Sequence, residues 1–228
     1  LRGVYRFHRI KGCYVIKAAI FDMDGVIVDS EHLNIKAGKQ TMLKYGIRVS
    51  SEELQRFTGT TAQAMFRELI KRYKLDTTFE KMSNEREEKL LTLLKEGTRP
   101  TRGVMELLKK LKQENIKLAI ASSSHRRLIE YVLERLNITH IFDLIVSSED
   151  IKHSKPNPEI FLKSAKELDV NPIECLVFED SKLGVEAAKN AGMRCVGYRN
   201  PNSGNQDLSK ADIVVDDFSK LDIQELLK

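Results

Sequence analysis

The chain has 228 residues, of which 41% are hydrophobic and 31% are charged. This length suits one core with an insertion, and it can bury enough apolar surface to fold without disulfides or a structural metal. The composition excludes collagen-like and disordered chains. Three cysteines without a C-x-x-C pair exclude a disulfide scaffold, so we expect Cys13, Cys175 and Cys195 to be free thiols.

The net charge of +5 comes entirely from the N-terminal end of the chain. Residues 1–17 contain five Lys or Arg and no Asp or Glu, whereas the rest contains 33 basic and 33 acidic residues. A basic chain suggests nucleic-acid binding, but a body that is neutral by count argues against it. We expect residues 1–14 to be a poorly ordered basic arm.

Hydropathy predicts no membrane segment. Lys17 interrupts the apolar run from Tyr14 to Phe21, and no stretch has the roughly 20 apolar residues that cross a bilayer. We therefore expect a cytoplasmic protein with neither a membrane nor a nucleic acid as partner.

Short apolar runs alternate with amphipathic segments along most of the chain. The runs are continuous in apolarity, which is typical of strands buried on both faces of a parallel sheet. They are Ala18–Phe21, Ile116–Ala121, Leu144–Val146, Cys175–Phe178, Arg194–Gly197 and Ile213–Val215. Helical periodicity occurs at Val104–Glu114, Arg126–Asn137, Pro158–Leu168 and Leu183–Ala191. This alternation predicts an α/β, doubly wound core with a mainly parallel sheet.

The interval between the first two strands differs from the rest. It contains no convincing strand, and helical periodicity covers Glu31–Tyr45, Ala62–Tyr73 and Phe79–Lys95. We predict a small all-helical cap domain inserted after the first strand, at residues 30–96, with a core formed by residues 15–29 and 97–228. Ligands of doubly wound sheets bind at the carboxyl ends of the strands, so the residues after each strand are the candidates for chemistry.

Two carboxylates follow the first strand. Asp22 and Asp24 could bind a cation or divide the roles of nucleophile and acid–base catalyst, whereas capping of a turn is the structural alternative. A calcium-binding loop is excluded, because its fifth, sixth and twelfth positions hold Val26, Ile27 and Leu33 in place of an oxygen ligand, Gly and Glu.

Polar residues also follow the second and fourth strands. Ser122, Ser123 and Ser124 stand at the start of a helix, where hydroxyls and free N–H groups can bind an anion or simply cap the helix. Glu179 and Asp180 start another helix, where acids complement the helix dipole. Two adjacent carboxylates at this edge would crowd negative charge unless a cation lay there.

A fourth feature is Lys155, in the segment Ser-Lys-Pro-Asn-Pro, where two prolines restrict the backbone, although a surface turn would also explain it. Together the four features resemble the haloacid dehalogenase superfamily, in particular its phosphatase and β-phosphoglucomutase-like branch. The resemblance covers the chain from Lys17 to the C-terminus. It is carried by residues 21–31, Ser122, Lys155 and residues 179–181.

The resemblance implies a Rossmann-like core and a role for each motif residue. Asp22 would attack phosphorus and form an aspartyl-phosphate, and Asp24 would act as general acid and then base. Ser122 and Lys155 would bind the transferring phosphoryl group. The cofactor would be Mg²⁺, held by Asp22, the backbone carbonyl of Asp24, and Glu179 or Asp180.

The resemblance also implies where the cap lies and what the substrate is. Asp24 and Ser122 are 98 positions apart, whereas Ser122 and Lys155 are 33 apart, which places a helical cap between the first two motifs. An acid at the place of Asp24 indicates phosphate-ester chemistry, since relatives that cleave carbon–halogen or carbon–phosphorus bonds lack one. Candidate substrate-binding residues are Ser122, Ser123, Lys155, Gly59, Thr60 and Arg126. We expect a monomer that acts on a small phosphorylated substrate, such as a sugar phosphate.

Two departures from the mutase pattern favour a phosphatase. The place of a His in β-phosphoglucomutases holds Asn34, with His32 two residues earlier, and the place of a cap-loop Arg holds Ala62. Arg67 or Lys71 could replace that Arg only from another turn of the helix. A β-phosphoglucomutase-like mutase is the alternative, and a non-catalytic binder that uses the basic arm is a remote one.

Overall fold

The computed structural model describes residues 15–228. Its centre is a six-stranded sheet in the order β3-β2-β1-β4-β5-β6, in which all paired strands are parallel. The strands are β1 (Ala18–Phe21), β2 (Lys117–Ala121), β3 (Leu144–Val146), β4 (Cys175–Glu179), β5 (Arg194–Tyr198) and β6 (Ile213–Val215). The predicted α/β fold is confirmed, and the predicted strand ends differ by one residue at most.

Nine α-helices lie within residues 15–228. They are α1 (Glu31–Lys44), α2 (Ser51–Gln55), α3 (Ala62–Tyr73), α4 (Phe79–Glu96), α5 (Val104–Gln113), α6 (Arg126–Arg135), α7 (Glu159–Glu167), α8 (Lys182–Asn190) and α9 (Ile223–Leu226). The sequence patterns did not predict the short helices α2 and α9. Helix α2 begins after Ser50, whose side chain caps it by accepting a hydrogen bond from Glu53 N.

Two hydrophobic clusters cover the two faces of the sheet. Alternate residues of β1 divide between them, because successive side chains of a strand point to opposite faces. Phe21 packs in one cluster, where its ring stacks on Phe178 with centroids 4.4 Å apart, and Ile20 packs in the other. Both faces of the strand are therefore buried, as its continuous apolarity predicts.

Helices α1–α4 form a third hydrophobic cluster of their own. Its buried members include Met42, Phe66, Leu69 and Met82. These four helices are called the cap below, and the division into domains at residues 30 and 96 stays a prediction.

Two further expectations can be compared with the described residues. Cys175 and Cys195 are free and buried, whereas Cys13 and the predicted basic arm, residues 1–14, lie outside the described part of the chain. No helix found within residues 15–228 combines the length and the apolarity that crossing a membrane requires.

Candidate active site

The parallel register of the sheet brings the three strand-end motifs together. Phe21 of β1 lies level with Ile120 of β2 and with Phe178 of β4, so the residues that follow these strands emerge at one edge. Asp22 continues the ladder, since its N–H donates to the carbonyl of Phe178 at 3.0 Å. The edge lies at the topological switch point, between β1 and β4, where doubly wound folds bind their ligands.

Lys155 joins two of these motifs beneath the surface. Its Nζ donates to Asp22 Oδ1 at 2.7 Å and to Glu179 Oε1 at 2.6 Å, and only 1% of the residue is exposed. Burial alone would lower the pKa of Lys155, but the charges of the two carboxylates outweigh it and raise that pKa. The ammonium group therefore stays protonated and fixes both acids.

Three buried carboxylates form a cluster around this lysine. One carboxylate oxygen from each of Asp22, Glu179 and Asp180 lies within 4.8 Å of the other two. Burial raises the pKa of Asp22 to about 8, although Lys155 opposes the shift, and the neighbouring acids Glu179 and Asp24 add to it. One ammonium does not neutralise three carboxylates, so the donor set fits a divalent cation that prefers oxygen ligands.

The hydrogen bonds distinguish Glu179 from Asp180. Glu179 Oε2 accepts hydrogen bonds from the backbone N–H of Asp180 and of Ser181 and from Ser181 Oγ, while its Oε1 accepts from Lys155. Among the described residues, the carboxylate of Asp180 accepts one hydrogen bond, at Oδ2, from Ser203 Oγ. Asp180 therefore keeps more of its lone pairs available for a ligand than Glu179 does.

Asp24 is held by three side chains. Its Oδ1 accepts from Ser30 Oγ at 2.5 Å and from Asn34 Nδ2 at 2.9 Å, and its Oδ2 accepts from Ser124 Oγ at 2.7 Å. Ser30 is the residue before α1 and Asn34 lies in its first turn, whereas Ser124 follows β2. These bonds orient the carboxyl group, which lines the cavity described below.

Arg86 of α4 is a cavity residue that the sequence analysis missed. Its Nη2 donates to Asn34 Oδ1 at 2.5 Å, so the guanidinium is linked to Asp24 through one amide. Its Nε is buried and has no hydrogen-bond partner in the structure. The sequence holds a signal, because Arg86 occupies the helical face of Met82 and Leu90, both buried, and a cation on an apolar face is unusual.

Glu31, in the first turn of α1, is a second cavity residue, which the sequence analysis included in a motif without giving it a role in the site. The residue is only 6% exposed. Burial, followed by the charges of Asp24 and Asp22, raises the pKa of Glu31 to about 8. Its signal in the sequence is weak, since an acid in the first turn of a helix is ordinarily explained by the helix dipole.

The cap and the strand edge line a cavity of about 70 Å³. Of the residues proposed from the sequence, Asp22, Asp24, Ser122 and Ser123 line it from the strand edge, and Gly59 and Thr60 line it from the cap. Apolar side chains of the cap complete the wall, namely Ile35, Leu54, Phe57 and Met65.

Gly59 brings the cap loop into close contact with the core. Its carbonyl accepts a hydrogen bond from Ser123 Oγ at 2.8 Å, and its φ of +87° is a conformation that favours glycine. A Cβ at this position would lie 2.3 Å from Ser181 Oγ, so no larger residue fits without displacing the core.

Arg126 and Arg67 are not among the residues that line this cavity. Arg126 Nη2 donates to Asp150 Oδ2 at 2.7 Å and lies in a separate groove beside His125. Because its guanidinium pairs with Asp150 and lies outside the cavity, the structure does not support the expected contact of Arg126 with substrate. The guanidinium of Arg67 lies 4.0 Å above the ring of Phe79, in a third groove.

Comparison with known proteins agrees with the motif order and the geometry. The family model for haloacid dehalogenase-like hydrolases matches residues 19–198. The chain belongs to this family. The resemblance inferred from the four motifs is therefore confirmed.

Relatives within the haloacid dehalogenase-like hydrolase family include both kinds of phosphoryl-transfer enzyme. The phosphorylated carbohydrates phosphatase of Thermotoga maritima is 35% identical over 178 residues, which cover 78% of this chain and 82% of the relative. The β-phosphoglucomutase of Bacillus subtilis is 33% identical over 223 residues, which cover 92% and 94%. The chain is thus related to enzymes, to sugar-phosphate phosphatases on one side and to mutases on the other.

A solved structure in the same family shares the fold. The β-phosphoglucomutase of Clostridium difficile superposes with a TM-score of 0.83 at 31% identity, over 92% of this chain and 95% of that one. Identity to named mutases and to named phosphatases is similar, so overall similarity does not separate the two activities.

Proposed function

We propose that this enzyme hydrolyses a small phosphorylated metabolite, such as a sugar phosphate, through an aspartyl-phosphate formed on Asp22. The observation that carries the proposal is the pairing of two differently held aspartates at one strand end. Among the described residues, the carboxylate of Asp22 accepts one hydrogen bond, at Oδ1 from Lys155. Its Oδ2 is therefore free to attack. Asp24 is held by hydroxyl and amide donors and faces the same cavity.

In the first step, Asp22 Oδ2 forms a bond to phosphorus as the bond from phosphorus to the ester oxygen breaks. Asp24, in its protonated form, gives its proton to the departing oxygen, so the product leaves as a neutral alcohol. Ser122, only 1% exposed, and the backbone N–H groups that follow it would bind the phosphoryl oxygens, and Lys155 would offset their negative charge.

In the second step, Asp24 is ionised and removes a proton from a water molecule. The water oxygen forms a bond to phosphorus, the acyl-phosphate bond to Asp22 breaks, and inorganic phosphate leaves. The same carboxyl group thus acts as acid and then as base, and its three hydrogen-bond donors keep it in place for both steps.

The carboxylates of Asp22 and Asp180, with the backbone carbonyl of Asp24, would hold Mg²⁺, while Glu179 would support them through Lys155. When bound, Mg²⁺ reduces the repulsion between an anionic phosphate and a carboxylate nucleophile. It would also favour the ionised form of Asp22, whose pKa is otherwise raised by burial. We expect chelation by EDTA to abolish turnover and added Mg²⁺ to restore it, and turnover that survives chelation would contradict this ligand set.

Water as the acceptor is favoured by the residues around Asp24. Asn34 occupies the place of the mutase His and donates an amide N–H to Asp24, and an amide does not act as an acid or a base near neutral pH. Ala62 cannot bind a second phosphate by charge. Within residues 15–228, Arg86 is the cap residue with a cationic side chain that lines the cavity. We assign it to substrate binding because its Nε is buried and has no hydrogen-bond partner.

The decisive test is ³¹P NMR of the enzyme with Mg²⁺ and a panel of sugar phosphates. The panel includes β-glucose 1-phosphate with trace glucose 1,6-bisphosphate. Release of inorganic phosphate supports the phosphatase. Conversion to glucose 6-phosphate without free phosphate would establish the alternative, a β-phosphoglucomutase-like mutase. The overall similarity to the named mutases is the reason for testing this alternative.

A matched variant tests the nucleophile. Asp22→Asn should lower turnover on the order of 10⁴-fold or more, as loss of a residue of the reacting unit does elsewhere. Circular dichroism and the melting temperature should show an intact fold. Retained turnover in this variant would overturn the assignment of Asp22.

A further inference from the structure

Residues 199–206, called the β5 loop here, follow β5 at the edge that carries the candidate site. The loop contacts three separate parts of the molecule: the carboxylate of Asp180, the segment that leads into α1, and the end of α2 in the cap. These contacts are made by different loop residues, so each can be changed alone.

The first contact holds Asp180. Ser203 Oγ donates a short hydrogen bond to Asp180 Oδ2, and both residues are almost fully buried, at 1% and 2% exposure. On its other side the same oxygen faces Gly25, where an added Cβ would lie 2.0 Å away. Asn200 Nδ2 donates to the carbonyl of Gly25 at 3.0 Å, so the loop also fixes the backbone that the carboxylate packs against.

The second contact reaches the connection between core and cap. Asn202 Nδ2 donates to Asp29 Oδ1 at 2.9 Å. Asp29 lies two residues before α1, and its N–H donates to the carbonyl of Arg99, which lies on the return segment from α4. The loop is therefore bonded to the place where the two connecting segments run side by side.

The third contact reaches the cap itself. Gln206 Nε2 donates to the carbonyl of Ser203 at 2.9 Å and lies 3.4 Å from the carbonyl of Gln55, at the end of α2. The loop also approaches Gln55 closely at Gly204, whose φ is +74° and whose added Cβ would lie 2.7 Å from the Gln55 side chain. One glutamine thus links the residue that holds Asp180 to the cap.

We propose that the β5 loop is a positioning element that couples the metal ligand Asp180 to the closed position of the cap. The proposal rests on the proposed function, which assigns Asp180 to Mg²⁺. Ser203 orients the carboxylate, and Gln206 and Asn202 transmit its position to the cap and to the connection. Because coupling between two equilibria is reciprocal, Mg²⁺ binding stabilises the closed cap, and the closed cap strengthens Mg²⁺ binding.

The first test measures Mg²⁺ affinity without substrate, by isothermal titration calorimetry of the full chain. Ser203→Ala should weaken the affinity by roughly 10- to 100-fold, as loss of an outer-shell partner does in metal sites. Ser203→Thr, which keeps the hydroxyl, should bind more tightly than Ser203→Ala. Ser209→Ala, at an exposed serine six residues later, is the matched control and should bind as the unchanged protein does.

The second test measures the cap by hydrogen–deuterium exchange of residues 51–57, with and without Mg²⁺. Mg²⁺ should slow exchange in the unchanged protein. In Gln206→Ala the slowing should be lost while calorimetry still shows Mg²⁺ binding. Melting temperatures in EDTA establish that each variant is folded.

Four results would overturn the coupling: unchanged Mg²⁺ affinity in Ser203→Ala, no effect of Mg²⁺ on cap exchange, a Gln206→Ala variant that keeps the slowing by Mg²⁺, or an Asp180→Asn variant that binds Mg²⁺ normally. Neither readout involves turnover. Failure of the phosphatase assignment in the NMR experiment is therefore distinguishable from failure of the loop proposal.

Discussion

The two walls of the cavity differ in how much of their polar surface is already bonded within the protein. At the strand edge, both oxygens of Glu179 and the ammonium of Lys155 are engaged by protein partners. On the cap, Arg86 lines the cavity, and its Nε is buried without a hydrogen-bond partner. The strand edge is thus preorganised for chemistry, whereas the cap retains hydrogen-bonding capacity for a ligand.

Some of the polar contacts between the two walls are partly exposed to solvent. Apart from Ser123 and Gly59, they include the pair of His125 and Glu87, at 3.0 Å, and the ion pair of Arg127 with Glu88. Partly exposed pairs of this kind contribute about 1 kcal/mol or less each. These exposed pairs add little to the stability of the closed cap, but Asn34 of α1 also donates to Asp24, and Leu90 and Leu94 of α4 pack in the core cluster.

The largest expected effect comes from removing the bonded centre of the strand edge. Lys155→Met would leave Asp22 and Glu179 buried without their cation, and such a change lowers the free energy of unfolding by about 3–5 kcal/mol. Urea unfolding in EDTA measures it. Lys163→Met is the matched control, because Lys163 forms a surface pair with Glu167, worth about 0.5 kcal/mol at most. Equal free energies of unfolding in the two variants would show that Lys155 contributes no more than a surface lysine, and would contradict a strand edge held together by its buried ion pairs.

The next effect tests whether the cap wall binds substrate. Arg86→Met should lower kcat/KM for a sugar phosphate by roughly 10- to 100-fold, the effect of losing a charged hydrogen bond of about 1.5–3 kcal/mol. It should matter less for p-nitrophenyl phosphate, whose leaving group offers no hydroxyls. Arg67→Met, at a cation that stacks on Phe79, should change kcat/KM less than twofold. Similar losses in both variants would contradict a direct role for Arg86.

A smaller effect tests the close contact between the walls. Gly59→Ala and Gly46→Ala both place a Cβ at a positive φ, which destabilises each by about 1 kcal/mol. Only the first meets the core, at Ser181, since nothing lies within 4 Å of the Cβ position at Gly46. We expect Gly59→Ala to lose about tenfold in kcat/KM and Gly46→Ala to keep it. Steady-state kinetics decide, and matched losses would mean that the contact has no part in closure.

The smallest effect is a pH dependence at the contact between His125 and Glu87. The hydrogen bond that His125 donates to Glu87 raises the pKa of His125 above 6.5, so this stabilisation is complete below that pH and is lost as pH rises through the folded-state value. The hydrogen bond from His125 lowers the pKa of Glu87 below 4.5, so its share is lost only in stronger acid. The melting temperature of the unchanged protein minus that of His125→Asn should be largest between pH 4.5 and 6.5. A flat difference would contradict the pairing.

The two walls also differ in how far sequence could predict them. Asp22 and Ser122 were predicted because each directly follows a buried strand, and Glu179 because it lies at the end of one. Parallel strands end at one edge whatever the rest of the fold does. Sequence order therefore nearly determines their proximity. Lys155 was harder to place, since nothing local shows that its side chain is buried between two acids.

The cap residues could not be found in this way. Whether Arg86 or Arg67 reaches the cavity depends on how α3 and α4 rotate and pack, which is a tertiary property that neither helix encodes alone. The expectation for Arg126 met the same difficulty, because its partner Asp150 lies 24 positions away in a different loop. Residues on helices that pack from outside the sheet need a structure to be assigned.

The small volume of the cavity, about 70 Å³, has a consequence for how substrate enters. Pockets that hold small-molecule ligands usually measure about 300–1,000 Å³, so this closed form admits a few water molecules but no phosphorylated sugar. Substrate must therefore be captured by an open form. The observed affinity equals the affinity of the open form multiplied by the fraction of molecules that are open. Closure of the cap without substrate therefore competes with substrate binding. Weaker bonds between the two walls leave more molecules open, so less substrate is needed to saturate the enzyme.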